Sequence, residues 1–240
     1  MTKLLIDGDL FCYRSSASAE NEDLSVAQYY TEKLLDDCLL TLNAASFVFF
    51  LTGENNFRFK VYPEYKANRL NTPKPRHLPA MRQWLLEKYQ AQLSDGCEAD
   101  DLMAIAQTAQ TAREPTIIVS LDKDMLQVPG FHYSWRIEGG TPEKRWVKEA
   151  LYQEITPIQG ARHFYTQMLT GDTSDNIKGV AGIGKVKAAA MLANEQLEEE
   201  DMFNIVRDSY DSDEEMLMNG RCLWLQRQPD EIWQFPYATE

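Results

Sequence analysis

The stretch Leu4-Leu5-Ile6-Asp7-Gly8-Asp9 decides the fold, because a short apolar run in it stops at two carboxylates. Short uninterrupted apolar runs are typical of buried parallel strands. Two more such runs follow, at residues 47–51 and 116–120, and apolar residues at helical spacing cover residues 26–42 and 101–112. Strands that alternate with helices predict an α/β protein whose mainly parallel central sheet is flanked by helices.

The composition is that of a globular protein, with 44% hydrophobic and 25% charged residues. It excludes a disordered chain or a fibre. No apolar window approaches the ~18 residues of a membrane span, and Asp7 interrupts the first run too early for a signal peptide. We therefore expect a cytoplasmic protein with no membrane association. Its four cysteines form no CxxC pair, so we expect reduced thiols.

Charge is unevenly placed along the chain, whose formal net charge is −13. Residues 58–77 hold six bases against one acid, whereas residues 195–218 hold ten acids against one base. The acidic segment is typical of a solvated helix and loop. Because phosphate binders are usually basic, the basic segment is where we expect an anionic partner.

From Gln159 onward the sequence becomes helical with glycine turns. This predicts two parts, an α/β core at residues 1–158 and an α-rich part at residues 159–240. The apolar residues near the C-terminus, among them Trp224 and Trp233, are interspersed with arginines and a proline. We expect them to clasp the core.

Carboxylates follow the predicted strands, at the edge where the carboxyl ends of parallel strands meet. Like charges so placed need a cation, and oxygen ligands favour Mg²⁺ or Mn²⁺. A carboxylate site with two metal ions suits phosphodiester hydrolysis, with the basic segment holding the phosphates.

Asp172 and Asp175 are spaced i, i+3, so on a helix they would share one face. Asp9 is as readily an N-cap as a site residue. The candidate metal ligands are Asp7, Glu98, Asp100, Asp101, Asp122, Asp124, Asp172 and Asp175.

The glycine-rich segment at residues 179–185 resembles a phosphate loop but has Val186 where a hydroxyl is needed, and no strand precedes it. The favoured interpretation is a helix-hairpin-helix. There, Gly182 and Gly184 allow a tight turn, while Lys185 and Lys187 add charge to backbone amides that face a DNA phosphate. A plain turn between helices is the alternative.

Taken together, the motifs resemble the flap endonuclease family of metal-dependent 5′-nucleases. Most similar are the stand-alone bacteriophage 5′→3′ exonucleases and the 5′-nuclease domain of bacterial DNA polymerase I. The matching segments run in family order as LLIDGDLFCYR (4–14), FRFKVYPEYKANR (57–69), EADDL (98–102), SLDKDMLQ (120–127) and GDTSDNIKGVAGIGKVKAAAML (171–192). The resemblance implies a PIN-like nuclease core with a basic arch around residues 57–80.

The resemblance also implies roles for single residues. Asp7, Glu98 and Asp100 would form a first metal site, and Asp122, Asp124, Asp172 and Asp175 a second, with Asp101 nearby or shared. Lys66 and Arg69 would polarise the scissile phosphate and complete a catalytic set with Asp7, Asp122 and Asp124. DNA contacts are expected from Tyr13, Arg14, Arg58, Lys60 and the hairpin residues Gly182, Gly184, Lys185 and Lys187. Carbonyls of the hairpin, at Val180 and Ile183, would bind K⁺.

One segment departs from the family pattern. Residues 51–56, Leu-Thr-Gly-Glu-Asn-Asn, contain no aspartate where the family has a first-site ligand. Glu54 or a water would take its place. Tyr62 and Tyr65 lie among the bases, where they either stack on DNA bases or pack the arch.

The leading hypothesis is a 5′→3′ exonuclease and 5′-flap endonuclease. It would act as a monomer on DNA with 5′ ends or flaps and on RNA-primer hybrids, in the host cytoplasm if it is phage-encoded. One alternative is a structure-specific DNA-binding protein with weak catalysis. Another is a phosphatase that uses Asp7 of Asp7-Gly8-Asp9 as its nucleophile.

Overall fold

Strands alternate with helices through the first half of the computed structural model, which describes residues 1–141 and 143–237. The strands are β1 (Lys3–Asp7), β2 (Ser46–Glu54), β3 (Gln92–Asp95), β4 (Thr116–Val119), β5 (Gly130–Ser134), β6 (Ile137–Thr141), β7 (Lys144–Lys148), β8 (Leu151–Ile155), β9 (Gly171–Asp172) and β10 (Ile177–Lys178). The helices are α1 (Gly8–Ser18), α2 (Leu24–Thr41), α3 (Arg58–Val61), α4 (Leu78–Tyr89), α5 (Ala99–Thr108), α6 (Pro157–Thr170), α7 (Lys185–Met191), α8 (Glu199–Arg207) and α9 (Asp213–Leu223).

The central sheet has the strand order β3-β2-β1-β4-β5-β8. β1 pairs in parallel with both β2 and β4, and β8 runs antiparallel to β5 at the edge. The α/β class and the mainly parallel sheet are thereby confirmed. Chain order reverses at β1, between β2 and β4, and such a switch point leaves a crevice at the carboxyl ends of the strands.

β1 is buried on both faces because helices cover the sheet on both sides. Leu4 and Ile6 pack with residues of α1, α2 and α4, whereas Leu5 packs with Ala99 and Met103 of α5. Burial of one such side chain contributes about 1.5–3 kcal/mol. This two-sided core fixes the register of β1 and therefore the position of Asp7 at its end.

The C-terminal part has its own apolar core, formed by α6, α7, α8 and α9 with Trp233. The chain then returns to the α/β core, where Leu225 packs against the α5 side of the sheet. Leu225 therefore makes the predicted contact with the α/β core, whereas Trp224 and Trp233 pack in the apolar core of the C-terminal part. The division at residues 158 and 159 stays a prediction, and residues 238–240 of its second part lie outside the described residues.

The acidic segment forms most of α8 and α9. Acids occupy the first turn of each helix, where the helix dipole favours negative charge: Glu199, Glu200 and Asp201, then Asp213, Glu214 and Glu215. In the described residues, none of the helices is both apolar enough and long enough to cross a membrane.

Asp172 and Asp175 do not share a helix face, contrary to the expectation from their spacing. They lie on a two-stranded hairpin, Asp172 in β9 and Asp175 in the turn before β10. The helix α6 ends at Thr170 because Gly171 adopts a φ of 66°, a left-handed value that favours glycine.

Candidate active site

A cleft of about 480 Å³ opens at the carboxyl edge of the sheet. Carboxylates from the ends of β1 and β4, the start of α5 and the β9–β10 turn line it, together with basic and aromatic side chains. Among these residues are Asp7, Glu98, Asp100, Asp122, Asp124, Asp175, Lys66, Arg69 and Tyr13. These carboxylates therefore lie together at the edge of the sheet where the sequence predicted them.

Asp7 is fixed by two neutral donors. It caps α1, since its Oδ1 accepts a hydrogen bond from the backbone N–H of Leu10 at 2.9 Å, and its Oδ2 accepts one from the Ser120 hydroxyl at 2.8 Å. Burial raises the pKa of Asp7 to about 6, although both hydrogen bonds lower it.

The N-cap of α1 is Asp7 and not Asp9. Asp9 instead accepts from Thr52 N–H at 2.8 Å and pairs with Arg82 of α4.

The carboxylates after β4 form a second group. Asp122 accepts a hydrogen bond from the N–H of Asp124 at 2.9 Å, and Asp124 accepts one from Gln167 at 2.7 Å. The carboxyl groups of Asp124 and Asp172 also share a hydrogen bond. Burial, the charge of Asp122 and this shared hydrogen bond raise the pKa of Asp124 to about 8.

Asp100 stands between the two groups. Burial, with the charges of Asp7 and Asp122, raises the pKa of Asp100 well above its usual range. In residues 1–141 and 143–237, no three Asp, Glu, His or Cys side chains stand close enough together to hold a metal ion as they are placed. Carboxylates of like charge repel one another, so a closer approach requires a cation or a shared proton.

Glu98, buried at the start of α5, is surrounded by donors. Its Oε1 accepts a hydrogen bond from the Asn56 amide at 2.9 Å and contacts the Lys66 ammonium, while its Oε2 lies 3.0 Å from the Tyr65 hydroxyl. Burial alone would lower the pKa of Lys66, but the charges of Glu98 and Asp175 raise it. Tyr65 is buried in the apolar core of the C-terminal part, so its ring is not available to stack on a DNA base.

The turn at residues 173–176 is bound to residues 66–69 of the basic segment. The backbone N–H of Lys66 donates to Asp175 O at 2.9 Å, and Arg69 pairs with the Asp175 carboxylate and donates to Ser174 O. Lys66 has a φ of 56°, a left-handed conformation that costs a lysine energy. These contacts therefore hold both predicted phosphate-polarising bases against the carboxylate of Asp175.

Two predicted site residues, Arg58 and Asp101, form a buried ion pair with each other. Arg58 is 1% exposed and its Nη1 lies 2.6 Å from Asp101 Oδ2. Burial of Asp101 opposes its charge, yet Arg58 holds the pKa of Asp101 below its usual range. Arg58 lies at the floor of the cleft with its guanidinium taken up by Asp101, so it is not exposed for the DNA contact that was predicted for it. Asp101 does not line the cleft, and we leave it out of the metal ligands.

The other predicted DNA contacts lie at the surface. Tyr13 is 42% exposed and lines the cleft, Lys60 is exposed on α3, and Arg14 is half-buried. Gly182, Gly184, Lys185 and Lys187 are exposed around the start of α7. Gly182 has a φ of 75°, and Val180 O accepts from Ile183 N–H at 3.1 Å. The element before this turn is the β9–β10 hairpin, so a helix-hairpin-helix is not directly shown.

Residues 52–56, which belong to the segment without an aspartate, line one wall of the cleft. Glu54 is exposed at the end of β2, whereas Asn56 is buried and donates to Glu98. Sequence reasoning missed Asn56, Gln167 and Ser120 as partners of the site carboxylates. Their proximity depends on long-range contacts, so no local pattern could have indicated it.

Comparison with known proteins supports one family. A family model for the N-terminal, resolvase-like domain of 5′-3′ exonucleases matches residues 2–153. A 5′-3′ exonuclease of Buchnera aphidicola is 31% identical over 206 residues, which cover 79% of this chain and 68% of that protein. A thermostable DNA polymerase I of Thermus filiformis is also 31% identical over 202 residues, but the chain spans 23% of its length.

Solved structures share the fold. A bacteriophage T5 flap endonuclease, crystallised with DNA and metal ions, superposes with a TM-score of 0.64 at 16% identity, covering 93% of this chain and 89% of that one. The catalytic core of Rad2 with its DNA substrate gives a TM-score of 0.53 at 14% identity, over 98% and 82% of the two chains. At these identities the likeness establishes the architecture alone.

Proposed function

The chain belongs to the 5′-3′ exonuclease family, and from that premise we propose that it is a divalent-metal-dependent 5′→3′ exonuclease and 5′-flap endonuclease. The observation that carries this proposal is the cleft, where Asp7, Asp100, Asp122 and Asp124 face Lys66 across one opening. Carboxylates opposite bases provide binding both for metal ions and for a phosphodiester.

The donor set of the cleft fits hard cations. Asp7, Asp122 and Asp124 accept hydrogen bonds from neutral groups, so their negative charge is not cancelled by those partners. Mg²⁺ and Mn²⁺ prefer such oxygen ligands. We assign the metal-holding role to Asp7, Glu98, Asp100, Asp122, Asp124, Asp172 and Asp175. When bound, the metal would supply Lewis-acid polarisation and an activated water.

The chain's own bases and aromatic ring would act on the DNA. Lys66 and Arg69 are held at the cleft and would contact the scissile phosphate, where charge builds up in the transition state. Tyr13 projects a partly exposed ring into the same cleft, a position suited to stacking on the terminal base. Asp7 and Asp124 would have to lose their protons before the site is competent.

The exposed turn before α7 would grip the duplex away from the reacting end. Lys185 and Lys187 are exposed there, and Gly182 provides the left-handed backbone of the turn. We extend the proposal to K⁺ at the carbonyls of Val180 and Ile183, in a helix-hairpin-helix that begins with α6. The proposed substrates are DNA 5′ ends, 5′ flaps and RNA-primer hybrids, with the protein acting as a monomer in the cytoplasm.

The proposed activity is tested with 5′-labelled duplex and 5′-flap DNA, with and without Mg²⁺ or Mn²⁺. We expect metal-dependent release of short 5′ products, and loss of at least about 100-fold in rate for Asp122→Asn. Asp36→Asn, at an exposed carboxylate of α2, is the matched control and should cleave normally. Intact substrates in every metal, or full activity of Asp122→Asn, would contradict the proposal.

A second candidate is a structure-specific DNA-binding protein with weak catalysis. It is favoured by the composition of the first metal site. Residues 51–56 lack an aspartate, and the carboxylate of Glu98 is already bound by Asn56 and Lys66. This candidate requires flap binding without turnover at any Mg²⁺ or Mn²⁺ concentration. The same cleavage assay, with a binding measurement beside it, separates the two.

A further inference from the structure

The ammonium of Lys66 lies between two carboxylates, Glu98 and Asp175, that the family resemblance assigns to different metal sites. It contacts Glu98 Oε1 and lies 3.6 Å from Asp175 Oδ2. The backbone places it there, because the Lys66 N–H is bonded to Asp175 O at 2.9 Å and the residue has a left-handed φ of 56°. A strained backbone that persists is held by its surroundings and is often found at a functional position.

All four oxygens of Glu98 and Asp175 have partners within the protein. On Glu98, Oε1 is contacted by Lys66 and Asn56, and Oε2 by the Tyr65 hydroxyl. On Asp175, Oδ1 is contacted by Arg69, and Oδ2 by the same Tyr65 hydroxyl at 2.8 Å. Two carboxylates thus face two bases, and the charge of this pair is already balanced.

In the part of the chain that the structure describes, the carboxylates on the other side of the cleft have no basic partner. Among the described residues, no lysine or arginine forms an ion pair with any of Asp7, Asp100, Asp122, Asp124 and Asp172. The hydrogen bonds that hold them come from neutral donors such as Ser120, Gln167 and Ser174. The carboxylates on this side therefore have no positive partner among the described residues, whereas those of Glu98 and Asp175 do.

We propose that the DNA-free protein binds one divalent cation, among the carboxylates around Asp122, while Lys66 and Arg69 serve as built-in cations for Glu98 and Asp175. A second divalent ion would meet the positive charge of both bases unless they moved. A DNA phosphate offers Arg69 and Lys66 a new anionic partner with strong hydrogen bonds. Arrival of the substrate would therefore release Glu98 and Asp175 for a second cation. The inference rests on the proposed function for its DNA step, but the resting metal count does not depend on cleavage.

The experiment is a Mn²⁺ titration of the DNA-free protein, followed by the electron paramagnetic resonance signal of free Mn²⁺. We expect one Mn²⁺ per wild-type chain. Lys66→Gln keeps the side-chain length but removes the charge, and should bind a second Mn²⁺ at least about tenfold more tightly than the wild type does. Asn56→Asp adds a negative charge beside Glu98 and should also increase the affinity for a second Mn²⁺. Lys33→Gln, at an exposed lysine of α2, is the control and should match the wild type.

Wild-type protein that binds two Mn²⁺ of similar affinity, or none, would overturn the inference. So would a Lys66→Gln protein, folded by circular dichroism, whose Mn²⁺ binding equals that of the wild type. These results are independent of turnover. A wild-type protein that cleaves no DNA would refute the proposed function while leaving the Mn²⁺ count as measured.

Discussion

The guanidinium of Arg58 grips the carboxylate of Asp101 with two parallel hydrogen bonds, from Nη1 to Oδ2 at 2.6 Å and from Nη2 to Oδ1 at 2.9 Å. Both side chains are at most 1% exposed. The pair also fastens three segments together: Arg58 donates to Cys222 O and Trp224 O, and Asp101 accepts from Gln226 N–H. The basic segment thus contributes one base to the core.

Loss of one partner should be costly, because the other charge would stay buried and uncompensated. We expect Arg58→Met to lower the free energy of unfolding by about 3–5 kcal/mol. For a chain of this size, that corresponds to a drop in melting temperature of roughly 10 °C. The double variant Arg58→Met with Asp101→Leu should recover much of the loss. A calorimetric melt of Arg58→Met that matches the wild type would show that the pair does not stabilise the fold.

Lys66→Ala should affect turnover much more than DNA binding. In the proposed function its ammonium contacts the scissile phosphate, and such a contact would strengthen as charge develops in the transition state, so we expect kcat to fall by about 10²–10³-fold. The dissociation constant for flap DNA in Ca²⁺ should change by less than about tenfold. Single-turnover cleavage and fluorescence anisotropy measure the two quantities. Equal losses in both would mean that Lys66 only binds.

The stability of the metal-free protein should fall as the pH rises. The folded-state pKa values of Asp7, about 6, and Asp124, about 8, lie above the ordinary value near 4, so between pH 4 and 8 the folded state binds more protons than the unfolded state. The stabilisation is complete below about pH 4 and is lost as the pH passes 6 and then 8.

Melting temperatures in EDTA at pH 5.5 and 8.5 measure this loss. Asp124→Asn should flatten it, since an amide does not titrate. Added Mg²⁺ should reverse the trend, because deprotonated carboxylates bind the cation. A wild-type melting temperature that is the same at both pH values would disprove the assignment of raised pKa values.

The two lysines at the start of α7 should contribute to DNA affinity by neutralising phosphates. Replacing Lys185 and Lys187 by alanine should weaken duplex binding and reduce the slope of log K against log salt by about 0.9 for each phosphate that is no longer neutralised. Lys33→Ala, at an exposed lysine of α2, is the control. An unchanged salt slope in the double variant would place the duplex on another surface.

Local patterns in the sequence predicted the carboxylates at the ends of β1 and β4. An apolar run that stops at an aspartate is contained in a few consecutive residues, so it can be recognised without knowing the rest of the fold. The helix ends were less certain, and α5 begins at Ala99 where the pattern indicated residue 101. The spacing of Asp172 and Asp175 indicated a helix, but Gly171 ends α6 and a turn follows.

Pairings between distant segments were beyond the reach of local patterns. In the sequence, Arg58 looks like the other bases of its segment, and its burial follows from Asp101, 43 residues away, and from carbonyls more than 160 residues away. The same limit applies to Asn56, which reaches Glu98 across 42 residues. Charge alone does not reveal which members of a basic cluster face water.

Because residues 222–227 return to the α/β core, part of that core can form only after the C-terminal residues have been synthesised. Gln127 donates to Leu223 O and accepts from Leu225 N–H, so a core side chain made midway through the chain is satisfied by backbone made near its end. On the ribosome, Arg58, Asp101 and Gln127 must wait for these partners. The cleft walls near Leu223 and Leu225 are therefore finished last, and a partly made chain has an incomplete active site.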